Sequence, residues 1–168
     1  MFRSALRPVL LSSRVSLASP RFALPSMQLR AFQLSSALAR QVPDSFRLNR
    51  PITFDELKPI TDQPNDDILL IDVREQDEVA AGAIPSAVNL PLSSFPDSLL
   101  MDEGQFVQKF GFRKPGKDAC IIVNCRSGKR SETALQEMKA KGWKNVRNYE
   151  GSWLDWVERS KGSSDQDD

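Results

Sequence analysis

The run Cys125-Arg126-Ser127-Gly128-Lys129-Arg130-Ser131 places a thiol, a glycine and three cations within six residues. A thiolate is the reactive form of cysteine. It is favoured where backbone N–H groups and positive charge surround the sulfur. The chain contains no histidine, so a Cys-His pair, a Ser-His-Asp triad and an imidazole-built zinc site are excluded. Activation of Cys125 must therefore come from its own loop. The apolar run Ala119-Cys120-Ile121-Ile122-Val123 leads into that loop, and a helix is expected from near Ser131 to Ala140. Strand, tight turn and helix in this order direct successive N–H groups into one concavity above a helix N-terminus, which suits an anion. Gly128 permits a turn that a side chain would obstruct.

Other residues carry chemistry less specifically. Cys120 lies five places before Cys125 and reads as a buried small hydrophobe in preference to a resolving thiol. Asp72 ends a second apolar run, Ile68-Leu69-Leu70-Ile71-Asp72-Val73. It either orients the cysteine loop or forms a structural ion pair with an arginine, and the pair is the favoured reading. Arg74 and Glu78 are four apart and read as a helix-type structural pair. Trp153 is a candidate for the pocket mouth, whereas Trp156 and Tyr149 read as packing residues.

The elements that must position these groups follow from local pattern. Thr53, with Glu56 three residues later, is a capping box opening a short helix. Ile68–Val73, Ala87–Leu90, Ala119–Val123 and Asn145–Arg147 read as short strands, several of them apolar on both faces. Between them lie a short helix over Glu75–Ala80, partly helical residues 92–111, the helix after Cys125, and a last helix over Trp153–Arg159. Alternation of short apolar strands with helices predicts an α/β domain, with a mainly parallel central sheet flanked by helices on both sides. The domain is expected over residues 52–160, with a linker at 40–51 and a disordered polar tail at 161–168.

Charge is distributed unevenly. Residues 1–40 contain six arginines, no lysine and no acid, while the remainder holds 17 bases against 22 acids. The arginine-, serine- and leucine-rich opening has the composition of a mitochondrial transit peptide. It implies import, to the matrix, with cuts expected before Phe32 and before Arg40. No run reaches the roughly 18 apolar residues of a membrane span. A mildly acidic body lacks the basic stripe of a nucleic-acid binder. Two cysteines are too few for a disulfide framework and their spacing fits no metal site. No cofactor motif is present in the sequence.

Three motifs in order resemble the single-domain rhodaneses, the thiosulfate sulfurtransferases. They are Asp72-Val73-Arg74 with Glu78, Gly82-Ala83-Ile84-Pro85 and Ala87-Val88-Asn89-Leu90-Pro91; the Cys125–Ser131 loop; and Tyr149-Glu150-Gly151-Ser152 with Trp156. The family often has histidine at Ala83 and glycine at Ser86 and Ser152, which read as packing and turn positions. The resemblance implies a rhodanese-like fold and a ping-pong mechanism without a cofactor. In it Cys125 takes the outer sulfur of thiosulfate, sulfite leaves, and a thiol such as glutathione, or cyanide, accepts the sulfur. It implies that Arg126, Ser127, Gly128, Lys129, Arg130 and Ser131 bind substrate, Lys129 and Arg130 foremost, with Asp72 and Trp153 behind them. A carrier delivering its persulfide to a protein partner stays open beside this. Related phosphatases and arsenate reductases carry an arginine six places after the cysteine, where Ser131 stands here. A non-catalytic module of the same fold would have no need of the cysteine and its cations.

Overall fold

Four short strands form one parallel sheet in the order β2-β1-β3-β4. They are β1 (Ile68–Asp72), β2 (Val88–Asn89), β3 (Cys120–Asn124) and β4 (Asn145–Asn148). The computed structural model describes residues 43–47 and 50–164. The segment 1–39, read above as an import signal, and residues 165–168 of the tail lie outside the described residues. β1 and β3 pair over five positions, from Ile68 opposite Cys120 to Asp72 opposite Asn124. This register brings Asp72 and the residue before Cys125 side by side at the carboxyl end of the sheet, where parallel α/β sheets hold their ligands.

The alternation of side chains along β1 and β3 divides the core into two layers. Ile71, Val73, Ile121 and Val123 face one layer, closed by Phe95, by Phe106 and by Ala134, Leu135 and Met138. These come from α4 (Phe95–Ser98), α5 (Glu103–Phe110) and α6 (Lys129–Ala140). Leu70, Cys120 and Ile122 face the other layer with Phe54, Leu57 and Trp156, from α2 (Phe54–Asp62) and α7 (Ser152–Ser164). Helices therefore cover both faces, which is why the central strands read as continuous apolar runs rather than as alternating ones. Among the described residues, no helix is long and apolar enough to cross a membrane.

Local rules set several element ends. Thr53 caps α2 through the expected reciprocal box with Glu56, and Gly111 ends α5 in the left-handed conformation. Glu75 opens α3 (Gln76–Ala80) with a second box closed by Glu78. Three boundaries differ from the sequence reading. α6 starts at Lys129, two residues before Ser131, because Gly128 adopts φ +92° and turns the chain into the helix at once. α7 runs from Ser152 to Ser164, so the expected boundary at 160 falls inside a helix. The interval expected to be a linker contains α1 (Asp44–Arg47), whose Phe46 is buried in the second core layer.

Candidate active site

Cys125 is 1% exposed and its sulfur is ringed by donors. The Gly128 N–H donates to Sγ at 3.1 Å and the Ser131 hydroxyl stands 3.5 Å away. Burial by itself would raise the pKa of the thiol. The Ser131 hydroxyl and the N–H groups of Ser131, Ser127 and Gly128 outweigh it and hold the pKa below the ordinary value of 9.0. The loop thus activates its cysteine with hydrogen bonds, as the absence of histidine requires. Alkylation of Cys125 by iodoacetamide should accordingly show a pH midpoint below that of a free thiol, and Ser131→Ala should move the midpoint up. An identical midpoint in the variant would remove the hydroxyl from the account.

Gly128 is required for this geometry. Its positive φ is one reason, and a Cβ there would overlap the Glu150 carbonyl oxygen and stand 2.9 Å from its carbon. The Gly128 carbonyl accepts from the Ser131 hydroxyl at 3.0 Å and from Asn148 Nδ2 at 3.2 Å. The loop is pinned from below by α7: the N–H groups of Trp153 and Leu154 donate to the carbonyls of Cys125 and Arg126. With its carbonyls held by that helix, the loop presents its amides to the sulfur.

The three loop cations have different fates. Arg126 and Lys129 are exposed, and neither has a carboxylate partner among the described residues. Arg130 makes two parallel hydrogen bonds to Glu78, at 2.6 and 2.8 Å. This overturns the expected Arg74–Glu78 side-chain pair. Arg74 instead binds Asp72 at 2.7 Å, with both groups buried, and donates to the carbonyls of Glu78 and Gly82. The favoured reading of Asp72 as a structural ion pair therefore describes its contacts. The bidentate Arg130 contact is the main cause that lowers the Glu78 carboxyl from 4.5 to about 2. Such a group stabilises the fold fully above its unfolded pKa and ceases to do so as pH falls towards the folded one. Glu78→Gln should consequently flatten the decline of Tm between about pH 4.5 and pH 2, and an unchanged acid profile would contradict the pairing.

Trp153 is half-buried, with Arg74 over its ring at 5.0 Å and Gly82 against its edge. It supports the Asp72–Arg74 pair from the second core layer. Cys120 also faces that layer, whereas Cys125 belongs to the first. Five residues of extended strand separate them by about 16 Å, far beyond the reach of a disulfide, so Cys120 cannot resolve Cys125.

Ser152 is the residue whose role the sequence reading missed. Its hydroxyl accepts the Cys125 N–H at 3.0 Å, donates to the Tyr149 carbonyl at 2.7 Å and lies 3.9 Å from Sγ. Its φ is +54°, and that of Ser86 is +64°. The glycines often found at both places in similar sequences were the available signal: both are left-handed positions. Among the described residues no group of three His, Cys, Asp or Glu side chains is arranged to hold a metal.

The chain is similar to known proteins. The family model described as a rhodanese-like domain matches residues 53–159. A putative mitochondrial thiosulfate sulfurtransferase of Schizosaccharomyces pombe is 38% identical over 110 residues, 64% of this chain and 78% of that one. A thiosulfate:glutathione sulfurtransferase of Saccharomyces cerevisiae is 34% identical over 105 residues, 62% of this chain and 76% of that one. The crystal structure of the S. cerevisiae single-domain sulfurtransferase RDL2 superposes with a TM-score of 0.62 at 36% identity, covering 69% of this chain and 93% of that one.

Proposed function

Because this chain belongs to the rhodanese-like domain family, we propose that it is a thiosulfate sulfurtransferase that carries sulfur on Cys125 as a persulfide. The observation that supports this most directly is the Cys125 thiol, lowered in pKa by loop donors and flanked by two exposed cations, Arg126 and Lys129. Thiosulfate is a dianion, and these two side chains attract it to the loop. The Cys125 thiolate attacks the outer sulfur. An Sγ–S bond forms, the S–S bond of thiosulfate breaks, and its electron pair leaves on sulfite. The persulfide keeps one negative charge, held by the N–H groups of Ser127, Gly128 and Ser131. A thiolate acceptor then attacks the outer sulfur and Cys125 departs as thiolate. This is a ping-pong exchange in which the enzyme alternates between two covalent forms.

Arg130 contributes through its field, since its two terminal nitrogens are committed to Glu78. That commitment keeps the Arg130 guanidinium from caging a phosphoryl group, which favours sulfur over phosphate chemistry. The acceptor is a small thiol or cyanide, and transfer to a protein thiol is the alternative outcome. Relatives are described as mitochondrial, and the arginine-rich residues 1–39 suit import to the matrix.

The test mixes the protein with thiosulfate alone, reading intact mass and released sulfite. One added sulfur atom per chain and one sulfite are expected, both lost in Cys125→Ser and retained in Cys120→Ser. An unmodified protein that gains no mass and releases no sulfite would sink the proposal.

A further inference from the structure

Arg130 stands one residue before Ser131, whose hydroxyl is 3.5 Å from the Cys125 sulfur, and two after Gly128, whose N–H donates to that sulfur. It lies in the first turn of α6, at the helix end where anions are favoured. Its charge is coupled to those of Cys125 and Asp72. A guanidinium so placed is a fork for an oxyanion, able to bind two oxygens at once.

The fork is already filled. Nη1 and Nη2 donate to the two carboxylate oxygens of Glu78 at 2.6 and 2.8 Å. Glu78 is itself held from its own side. Its Oε2 also accepts the Glu75 N–H at 3.3 Å, and its backbone carbonyl accepts from Arg74 Nη1 at 3.3 Å. Arg74 is in turn bound to buried Asp72. α3 buries none of its residues, so these polar contacts set where the carboxylate lies. A carboxylate offers the same two-oxygen edge that a sulfate or sulfonate would present to the guanidinium. Arg126 and Lys129 are left to meet incoming ions. Both are exposed, and long exposed side chains lose entropy when an ion is gripped, so they attract anions but hold them weakly.

We propose that Glu78 is a positioning residue that withdraws Arg130 from the anion seat and so sets which oxyanions the loop retains. Sulfate has the charge and nearly the shape of thiosulfate but no sulfur to give. With Glu78 in the seat, either ion is held weakly. Thiosulfate is kept because its outer sulfur becomes bonded to Cys125, and sulfate leaves. An Arg130 free of Glu78 would grip both alike, and the unreactive ion would block the cysteine. The purpose of this exclusion rests on the sulfurtransferase reading above; the exclusion itself is tested without it.

The experiment follows alkylation of Cys125 by iodoacetamide, a neutral reagent, in the full chain against rising sulfate, with ionic strength held constant by sodium chloride. Sulfate should protect the unmodified chain weakly. In Glu78→Gln the sulfate concentration for half protection should fall about ten-fold, the gain of one charge-assisted contact. Adding Arg130→Met to Glu78→Gln restores the net charge and removes the fork, and the value should return to that of the unmodified chain. Asp77→Asn makes an equal change of charge at an exposed neighbour on α3 and should leave the value unaltered. The side chains of the pair are 36% and 30% exposed, where breaking an ion pair leaves the core intact, and sulfate binding can be read a second time as a rise in Tm. An unchanged value in Glu78→Gln, a tightening that survives Arg130→Met, or an equal tightening in Asp77→Asn would overturn the proposal. Thiosulfate loading of the same samples, read by intact mass, tests the proposed function separately: no added sulfur would overturn that function and leave the sulfate result to stand or fall by alkylation.

Discussion

Gly128→Ala is expected to destabilise the fold by about 3 kcal/mol, combining a left-handed backbone that L-residues resist with an overlap in a packed interior. The overlap is with the Glu150 carbonyl, part of the main chain, so no side-chain rotation can relieve it. For a domain of this size the loss corresponds to a fall in Tm on the order of 10 °C. Reactivity should fall with stability, because the Gly128 N–H donates to Sγ at 3.1 Å and must move if the turn opens. Alkylation of Cys125 in the variant should show a midpoint shifted up towards that of a free thiol. Gly116→Ala is the comparison: nothing lies within 4 Å of the added methyl, and no change in Tm or midpoint is expected. A Gly128→Ala protein with unaltered melting would show that the turn adopts another conformation.

The second large effect concerns the Asp72–Arg74 pair. Both side chains are almost fully buried and meet at 2.7 Å, and Asp72 also accepts the Arg74 backbone N–H. Removing one partner from a buried pair typically costs about 3–5 kcal/mol, because the other charge is left without compensation. Asp72→Asn should fall in this range by chemical denaturation. Arg74→Met should be comparable, since it also abandons the carbonyls of Glu78 and Gly82. Combining the two should cost clearly less than their sum, as expected for residues in direct contact. Simple additivity would mean that the charges are independently solvated and that the pair is not buried in solution.

What was legible in the sequence was local. The Thr53–Glu56 box, the apolar strands and the strand-turn-helix about Cys125 all depend on neighbours within a few residues. What was hidden depends on distant partners. Arg130 finds Glu78 across 52 positions, so an i to i+4 rule assigned Glu78 to the wrong arginine. Ser152 reaches the Cys125 N–H across 27 positions, a contact that its neighbours in the chain do not disclose. Arg147 is buried in β4 and shared between Glu56 and the carbonyls of Arg50 and Pro51. A cation in that place reads from sequence as a surface residue. The start of α6 was misplaced for a local reason. Gly128 was read as a loop residue, and its positive φ lets it serve as the cap itself.

The attachment of α7 to the cysteine loop bears on the chain's history as well as its chemistry. The groups that lock the loop, the Ser152 hydroxyl and the amides of Trp153 and Leu154, come from the last helix. Until that helix docks, the loop carbonyls are unheld and the amides need not converge on sulfur. A chain truncated before residue 152 would carry an ordinary and less reactive thiol. The cradle of the nucleophile is complete only when the C-terminal helix is in place, which makes its alkylation rate a clock for the arrival of that helix.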